Sequence, residues 1–322
     1  MINKALSAPA LADIRSAAEV LAPYVIRSPL LELNSGRESS EIRLKLENLQ
    51  AIGAFKVRPM GIVLLNANPA ALQKGVYTAS SGNAGLGLAW MANKLGLVAT
   101  VYAPDTAPAE KLAAIRKFGA QVQMLSASEW WQIIENSGHP DDPGIYVDAV
   151  RDPSAMAGNG TIGLEIIEQA PDVDTVIIPF GGGGLSCGIA AAIRALQPDT
   201  RIIVAESDAA TPLTSALQAG RPVTVKMKPS FISGAGAISV LEEMWPLLRK
   251  LVDDTVVVPV DDVANAIRLM FERSKVIAEG AGAIALAAAL ASNGRFGKTV
   301  CVVSGGNIDP EVMAAILRQQ KL

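Results

Sequence analysis

The sequence predicts an α/β protein of two open, twisted parallel-sheet domains with a ligand cleft between them, and three observations carry that prediction. Short β-branched runs alternate with Ala- and Leu-rich segments of helical length, the pattern of βαβ units. The alternation comes in two series, one over residues 76–125 and one over residues 175–320. Glycine- and serine-rich segments stand where strands give way to helices, a usual place for a small ligand in such sheets.

Each element follows in order. In the first series, residues 76–80 read as a strand, 83–95 as a helix, 98–102 as a strand, 108–118 as a helix and 121–125 as a strand. The second opens with a strand at 175–179, runs into Gly181, Gly182, Gly183 and Gly184, and continues as a helix over 185–196. Further strands are expected at 201–205, 255–260 and 299–303, with helices near 239–250, 261–290 and 310–320. The turn-rich stretch 136–144 is expected to be the crossing between the two units.

Composition narrows the function. The chain of 322 residues is half hydrophobic (50%) with only 4% aromatics. Its core is therefore Ala, Val, Ile and Leu, the palette of buried parallel strands and closely packed helices. Disorder, collagen and disulfide scaffolds are excluded. With 28 basic against 31 acidic residues and no long basic block, nothing is available to neutralise a nucleic-acid backbone. Cys187 and Cys301 lie among apolar or glycine residues and read as buried thiols of a reducing compartment. No signal-peptide pattern opens the chain, and the apolar stretch 281–291 is too short to span a bilayer, so a soluble cytoplasmic protein is expected. The single histidine, His139, sits in a turn-like run, which leaves a Ser/His/Asp triad or a His-rich zinc site resting on one residue.

Four segments carry chemistry. Four glycines between a buried strand and a helix let backbone N–H groups approach an anion, and the helix start adds partial positive charge, so residues 181–184 read as a phosphate cradle. The Gly-x-Gly-x-x-Gly register fails there, because Ser186 or Cys187 takes the last position. Glu206 nevertheless stands where a ribose-binding acid would, which keeps a nicotinamide oxidoreductase as an alternative. Residues 297–299 (Gly-Lys-Thr) precede a strand and read as a turn instead of a P-loop. Lys56, between Phe55 and Val57, is in apolar company that lowers an amine pKa, and local sequence leaves it open between an amine nucleophile and a surface lysine. Ser80, Ser81, Gly82, Asn83 and Ala84 gather hydroxyls and N–H groups at another helix start, suited to a carboxylate or to simple capping. Ser304 ends a buried strand beside Gly305 and Gly306.

Together these four segments resemble the fold-type II pyridoxal 5′-phosphate enzymes of the serine/threonine dehydratase and serine racemase group, with tryptophan synthase β-like architecture. Residues 47–50, 157–166 and 279–283 support the resemblance, which runs over nearly the whole chain. It implies a large cofactor-phosphate domain of residues 1–50 and 151–322 and a small substrate-loop domain of residues 51–150. Position by position, it implies that Lys56 is the Schiff-base lysine with Phe55 beside the cofactor, and that Asn83 bonds the ring 3′-oxygen. Ser81, Gly82, Asn83, Ala84 and Gly234 would face the substrate, with Ser81 a second acid/base. Gly181, Gly182, Gly183, Gly184 and Leu185 would take the phosphate, and Ser304 the pyridine nitrogen. A hydroxyl partner does not favour ring protonation, so elimination fits better than transamination.

The implied reaction is dehydration and deamination of a β-hydroxy amino acid to a 2-oxo acid and ammonia, with racemisation or β-replacement on the same cofactor as the alternative. Ala84, Pro59 and the run 232–236 (Ile-Ser-Gly-Ala-Gly) depart from the family pattern. Two of these departures, Ala84 and residues 233–236, leave room for a substrate bulkier than threonine or serine, such as phenylserine. Metal-dependent relatives carry an acid where Pro212 stands, six residues after Glu206, so no metal is expected. The expected partner is a small amino acid substrate, the expected assembly a homodimer, and no C-terminal sensor domain is expected.

Overall fold

The structure is a computed structural model that describes residues 6–34 and 41–320. The chain opens with α1 (Leu11–Leu21), β1 (Leu30–Glu32), β2 (Ile42–Leu46), α2 (Val57–Leu65) and α3 (Pro69–Leu72). Next come β3 (Val76–Ala79), α4 (Asn83–Leu95), β4 (Ala99–Pro104), α5 (Ala109–Lys117), β5 (Gln121–Leu125), α6 (Ala127–Glu135) and β6 (Ile145–Tyr146). The long α7 (Pro153–Gln169) leads to β7 (Thr175–Pro179), α8 (Gly184–Leu196), β8 (Arg201–Ser207) and α9 (Pro212–Ala219). The chain then runs through α10 (Trp245–Leu251), β9 (Asp254–Val258), α11 (Val260–Leu269), α12 (Gly280–Ala291), β10 (Thr299–Val303) and α13 (Pro310–Leu317).

The strands form two sheets, as the alternation predicts. One has the order β1-β2-β10-β7-β8-β9, all parallel except β1 against β2; the other has the parallel order β5-β4-β3-β6. Every residue of β7 and β10 is buried, because helices cover both faces and the strands read as unbroken apolar runs. One face packs Ile178, Ile189 and Val302 together, and the other packs Ile177, Ile284 and Cys301. A separate core around Met60, Leu88 and Val101 serves the four-stranded sheet.

Glycines set the helix packing between the layers. A Cβ at Gly158 of α7 would meet the Arg58 carbonyl of α2 at 2.8 Å, and one at Gly163 would meet the Ile189 carbonyl of α8 at 2.8 Å. The missing side chains therefore let α7 lie directly against both neighbours. Asp152 caps α7 by accepting from the Ser154 and Ala155 amides, and Pro153 starts it with no N–H to lose.

Three expectations need correction. Residues 136–144 are no crossing: β6 lies beyond them in the four-stranded sheet, and Tyr102 Oη donates to Asp142 while the His139 amide donates to Tyr77 Oη, folding the loop onto that sheet. The stretch 261–290 is two helices instead of one. After a π-helical turn at Met270–Ser274 the chain turns at Lys275 with φ 57°. Its backbone bonds then go to distant partners, Asn48 Nδ2 to the Ile277 carbonyl and the Glu279 amide to Gly305. The helix expected from 239 begins at Trp245, with Pro246 in its first turn. Among the described residues no helix is long and apolar enough to cross a membrane.

Candidate active site

Parallel pairing of β10 with β7 brings two distant segments side by side at the carboxyl ends of the central strands. The glycine run follows β7 and Ser304 follows β10, so the ligand position of open α/β sheets is occupied by both. A third segment is stitched on: the Phe55 amide donates to the Ser304 carbonyl at 3.0 Å, and Ala54 bridges Gly305. Lys56 then opens α2 directly over this junction.

The result is one cavity, about 440 Å³ with its open mouth included, whose walls include Phe55, Lys56, Gly181–Gly184, Leu185, Gly234 and Ser304. Lys56 Nζ lies 4.8 Å from the Phe55 ring centroid. Burial lowers the Lys56 ammonium to about 8, against the pull of Asp148. Local sequence leaves the role of this lysine open; the fold places it in the wall of the cavity.

At the glycine run, Gly183 has φ 95° and Gly184 begins α8. A Cβ at Gly182 would meet Val150 Cγ2 at 2.8 Å, and one at Gly184 would meet the Ala149 and Val150 carbonyls at 2.9 Å. Side chains are thus excluded where amides open toward the cavity. Ser186 Oγ, two residues inside the helix, is buried without a hydrogen-bond partner. A helix start with bare amides and a spare hydroxyl fits a phosphate. Residues 149 and 150 escape sequence reasoning because nothing in Ala-Val marks them; their loop is braced by Asp148, which accepts from the Val150 amide and Arg151 Nε.

The loop 80–84 does not line this cavity but stands next to it, half-buried, at the start of α4. Gly82 has open space where a side chain would be. Asn83 donates from Nδ2 to Glu279 Oε1 at 2.6 Å and accepts from Asn307 Nδ2 at 2.8 Å. Lys111 Nζ donates to Ser233 Oγ at 3.1 Å, tying α5 to the loop that carries Gly234.

Behind Lys56, Arg58 is held in a buried ionic cluster. Its Nε and Nη2 each meet a Glu47 oxygen at 2.8 Å, while Nη1 meets Thr161 Oγ1 at 2.9 Å and Glu165 Oε1 at 2.8 Å. Lys45 joins through Glu165, Gln169 and the Ser28 carbonyl. Burial pushes Glu47 up, but the Arg58 guanidinium outweighs it and holds the carboxyl below its ordinary range.

Other expected sites have settled partners. Both Glu206 oxygens accept from the start of α9, at the Leu213 amide and the Thr214 amide and hydroxyl, so the carboxylate caps that helix. Among the described residues, no three His, Cys, Asp or Glu side chains gather as metal ligands. His139 stacks on Tyr102 at 4.9 Å. Cys187 and Cys301 are buried, and burial pushes both thiols up.

Comparison with known proteins points the same way. The chain is 38% identical over 313 residues to L-threonine ammonia-lyase of Geobacter sulfurreducens, covering 95% of this chain and 77% of that one. It is 35% identical to the catabolic L-threonine dehydratase of Escherichia coli, covering 93% of each. The solved structure of maize serine racemase superposes with a TM-score of 0.88 at 30% identity, covering 97% of this chain and 98% of that one. The model of the family described as pyridoxal-phosphate dependent enzyme matches residues 21–305. An enclosed lysine, a side-chain-free anion cradle and a strand-end hydroxyl around one cavity are what that cofactor asks of a protein, and this chain belongs to the pyridoxal-phosphate dependent enzymes.

Proposed function

We propose that the chain is a hydroxy amino acid ammonia-lyase, converting threonine, serine or a bulkier β-hydroxy amino acid to a 2-oxo acid and ammonia. The observation that carries this reading is the 38% identity, over 95% of the chain, to an L-threonine ammonia-lyase. The bound cofactor would supply an electron sink for charge developing at the substrate α-carbon. In this reading Gly181–Gly184 and Leu185 hold its phosphate through backbone amides, Ser304 Oγ meets the pyridine nitrogen, and Phe55 lies beside the ring. Asn83 faces the 3′-oxygen, and Ser81, Gly82 and Ala84 receive the substrate carboxylate, with Gly234 across the cleft. Residues 51–150 form the substrate-loop domain, and residues 1–50 with 151–322 form the cofactor domain.

Lys56 has two tasks. As a free amine its Nζ would hold the cofactor, and with substrate bound the same Nζ would take the α-proton. The β-carbon–oxygen bond would then break, the hydroxyl leaving as water with a proton that balances the one Lys56 removed from the α-carbon. Loss of the amino group as ammonia by hydrolysis completes the balance. Because Lys56 titrates at about 8, a useful fraction is the unprotonated nucleophile near neutrality. The rate at which apoprotein covalently captures pyridoxal phosphate should therefore rise with pH and level off above about 8. Stopped-flow absorbance across pH 6–10 checks it, since an ordinary lysine would keep accelerating toward ~10.4.

The functional test is an assay of 2-oxo acid and ammonia with threonine, serine, 3-hydroxyaspartate and phenylserine isomers. Turnover of one member is expected. Loaded enzyme that releases no 2-oxo acid from any of them would overturn the lyase reading. The likeness to maize serine racemase favours racemisation as the second reading, with Ser81 as the acid/base opposite Lys56; loss of optical activity without 2-oxo acid would select it.

A further inference from the structure

The amide of Asn83 is held from both ends, and the way it is held determines which of its atoms can face a ligand. Asn307 Nδ2 donates to the Ile52 backbone carbonyl at 2.9 Å. That carbonyl can only accept, so the Asn307 atom beside it is the nitrogen, and the Asn83 atom 2.8 Å away is the oxygen. The Asn83 nitrogen is then the atom that meets Glu279 Oε1 at 2.6 Å. One Asn83 hydrogen remains unassigned. Glu279 itself is fixed, since its amide donates to the Gly305 carbonyl at 3.0 Å and it precedes α12. A Cβ at Gly305 would run into Glu279 Oε1, so the glycine after Ser304 is the space the carboxyl occupies.

These contacts link three parts of the candidate site: the segment leading to Lys56 through Ile52, the start of α4, and the strand end at Ser304. We propose that Glu279 and Asn307 are positioning residues that lock the Asn83 amide with its remaining N–H turned toward the ring of bound pyridoxal phosphate. The inference rests on the cofactor reading above and extends it to two residues that touch Asn83 from behind.

Glu279 is 5% exposed, and its surroundings carry little charge. The neighbouring segments 52–55, 80–84, 231–235 and 304–307 contain no charged residue; Lys56 follows the first of them, and Lys111 on α5 faces the carboxyl. Burial pushes the Glu279 carboxyl up to about 7, against the Asn83 hydrogen bond and the attraction of Lys111. Ionised, it is a strong acceptor for Asn83 Nδ2; protonated, it is a weaker one. The lock therefore tightens as pH rises through about 7.

The test is the absorption spectrum and dissociation constant of pyridoxal phosphate on wild-type, Glu279→Gln and Glu279→Ala proteins between pH 5.5 and 8.5. Wild-type bound cofactor should show a spectral transition near pH 7. Glu279→Gln keeps an acceptor oxygen and should bind with less than ~3-fold loss but without that transition. Glu279→Ala should weaken binding ~10-fold or more, and near-ultraviolet circular dichroism of the apoproteins shows that each variant is folded. Should the alanine variant fail to fold, Asn307→Ser takes its place with the same expected loss. Identical titrations for wild type and Glu279→Gln would overturn the proposal while leaving the cofactor reading intact. A folded wild-type protein that captures no pyridoxal phosphate on Lys56 would overturn both.

Discussion

Lys56→Ala is expected to abolish turnover, by ~10³-fold or more, and to end covalent capture of the cofactor. The size of the effect follows from the geometry. Lys56 is the amine whose ammonium burial lowers to about 8 at the cavity wall, so no neighbouring group can stand in for both nucleophile and base. Steady-state assay of 2-oxo acid, with borohydride reduction and peptide mass mapping, checks it. Wild-type protein should carry the pyridoxyl mass on the peptide containing Lys56, and the variant should carry none. A variant with normal turnover would refute the assignment. The substitution should leave stability near wild type, because Lys56 makes no ion pair among the described residues and the Phe55 and Ala54 backbone contacts to β10 remain.

Arg58→Met is expected to have the largest structural effect. Arg58 is 1% exposed and meets two carboxylates, so its loss leaves buried Glu47 with only Ser28 and Gln50 as donors and Lys45 as the remaining nearby cation. Breaking a buried pair by removing one partner costs ~3–5 kcal/mol. Urea unfolding of the apoprotein measures it through the midpoint at unchanged slope. The loss should shrink as pH falls, because the stranded Glu47 then protonates; folded wild type keeps this carboxyl below its ordinary range, so its contribution is full above the unfolded carboxyl range and fades only in stronger acid. A loss under ~1 kcal/mol would show that the cluster contributes little to stability. The double variant Arg58→Met with Glu47→Leu should recover part of the loss, as apolar replacement of buried pairs does elsewhere.

Most of the fold can be read from residues alone where local rules and burial agree. The strand at 121–125 coincides with β5, an edge strand with no buried residue whose polar and apolar residues alternate at its start. Those at 175–179 and 299–303 coincide with β7 and β10, because continuous apolar runs between turn signals have few other solutions. The helix at 83–95 coincides with α4 for the same reason, ended by Gly96 in the left-handed region. Reading fails where distant partners decide. No local signal breaks 261–290 at Lys275, because the bonds that replace the helix come from Asn48 and Gly305. The placement of 136–144 depends on Tyr77 and Tyr102 hydroxyls far away in sequence.

The cavity shows the same division. The glycine run and Ser304 announce themselves as strand-end motifs, and pairing of β7 with β10 makes them neighbours. Glu279 stands 196 residues from Asn83, and within its own segment it is an ordinary acid before a glycine. Its task becomes visible only once the carboxyl is seen against an amide. The Arg58 cluster joins residues 45, 47, 58 and 165, four positions that no local pattern groups together.

The bare face of α7 separates the parts of this protein that can drift from those that cannot. Lys56 stands at the head of α2, the anion cradle at the head of α8, and Gly158 and Gly163 press α7 against the backbones of both helices. The gap between amine and cradle is accordingly set by close main-chain contact at these two glycines, with Ile62 and Ala192 packed beside them. In the proposed reading the amino-acid end of the cleft has no such ruler and is bounded by two loops, 80–84 and 231–236. In that reading, rewriting those loops would change the preferred amino acid while the fit to the cofactor stayed as it is.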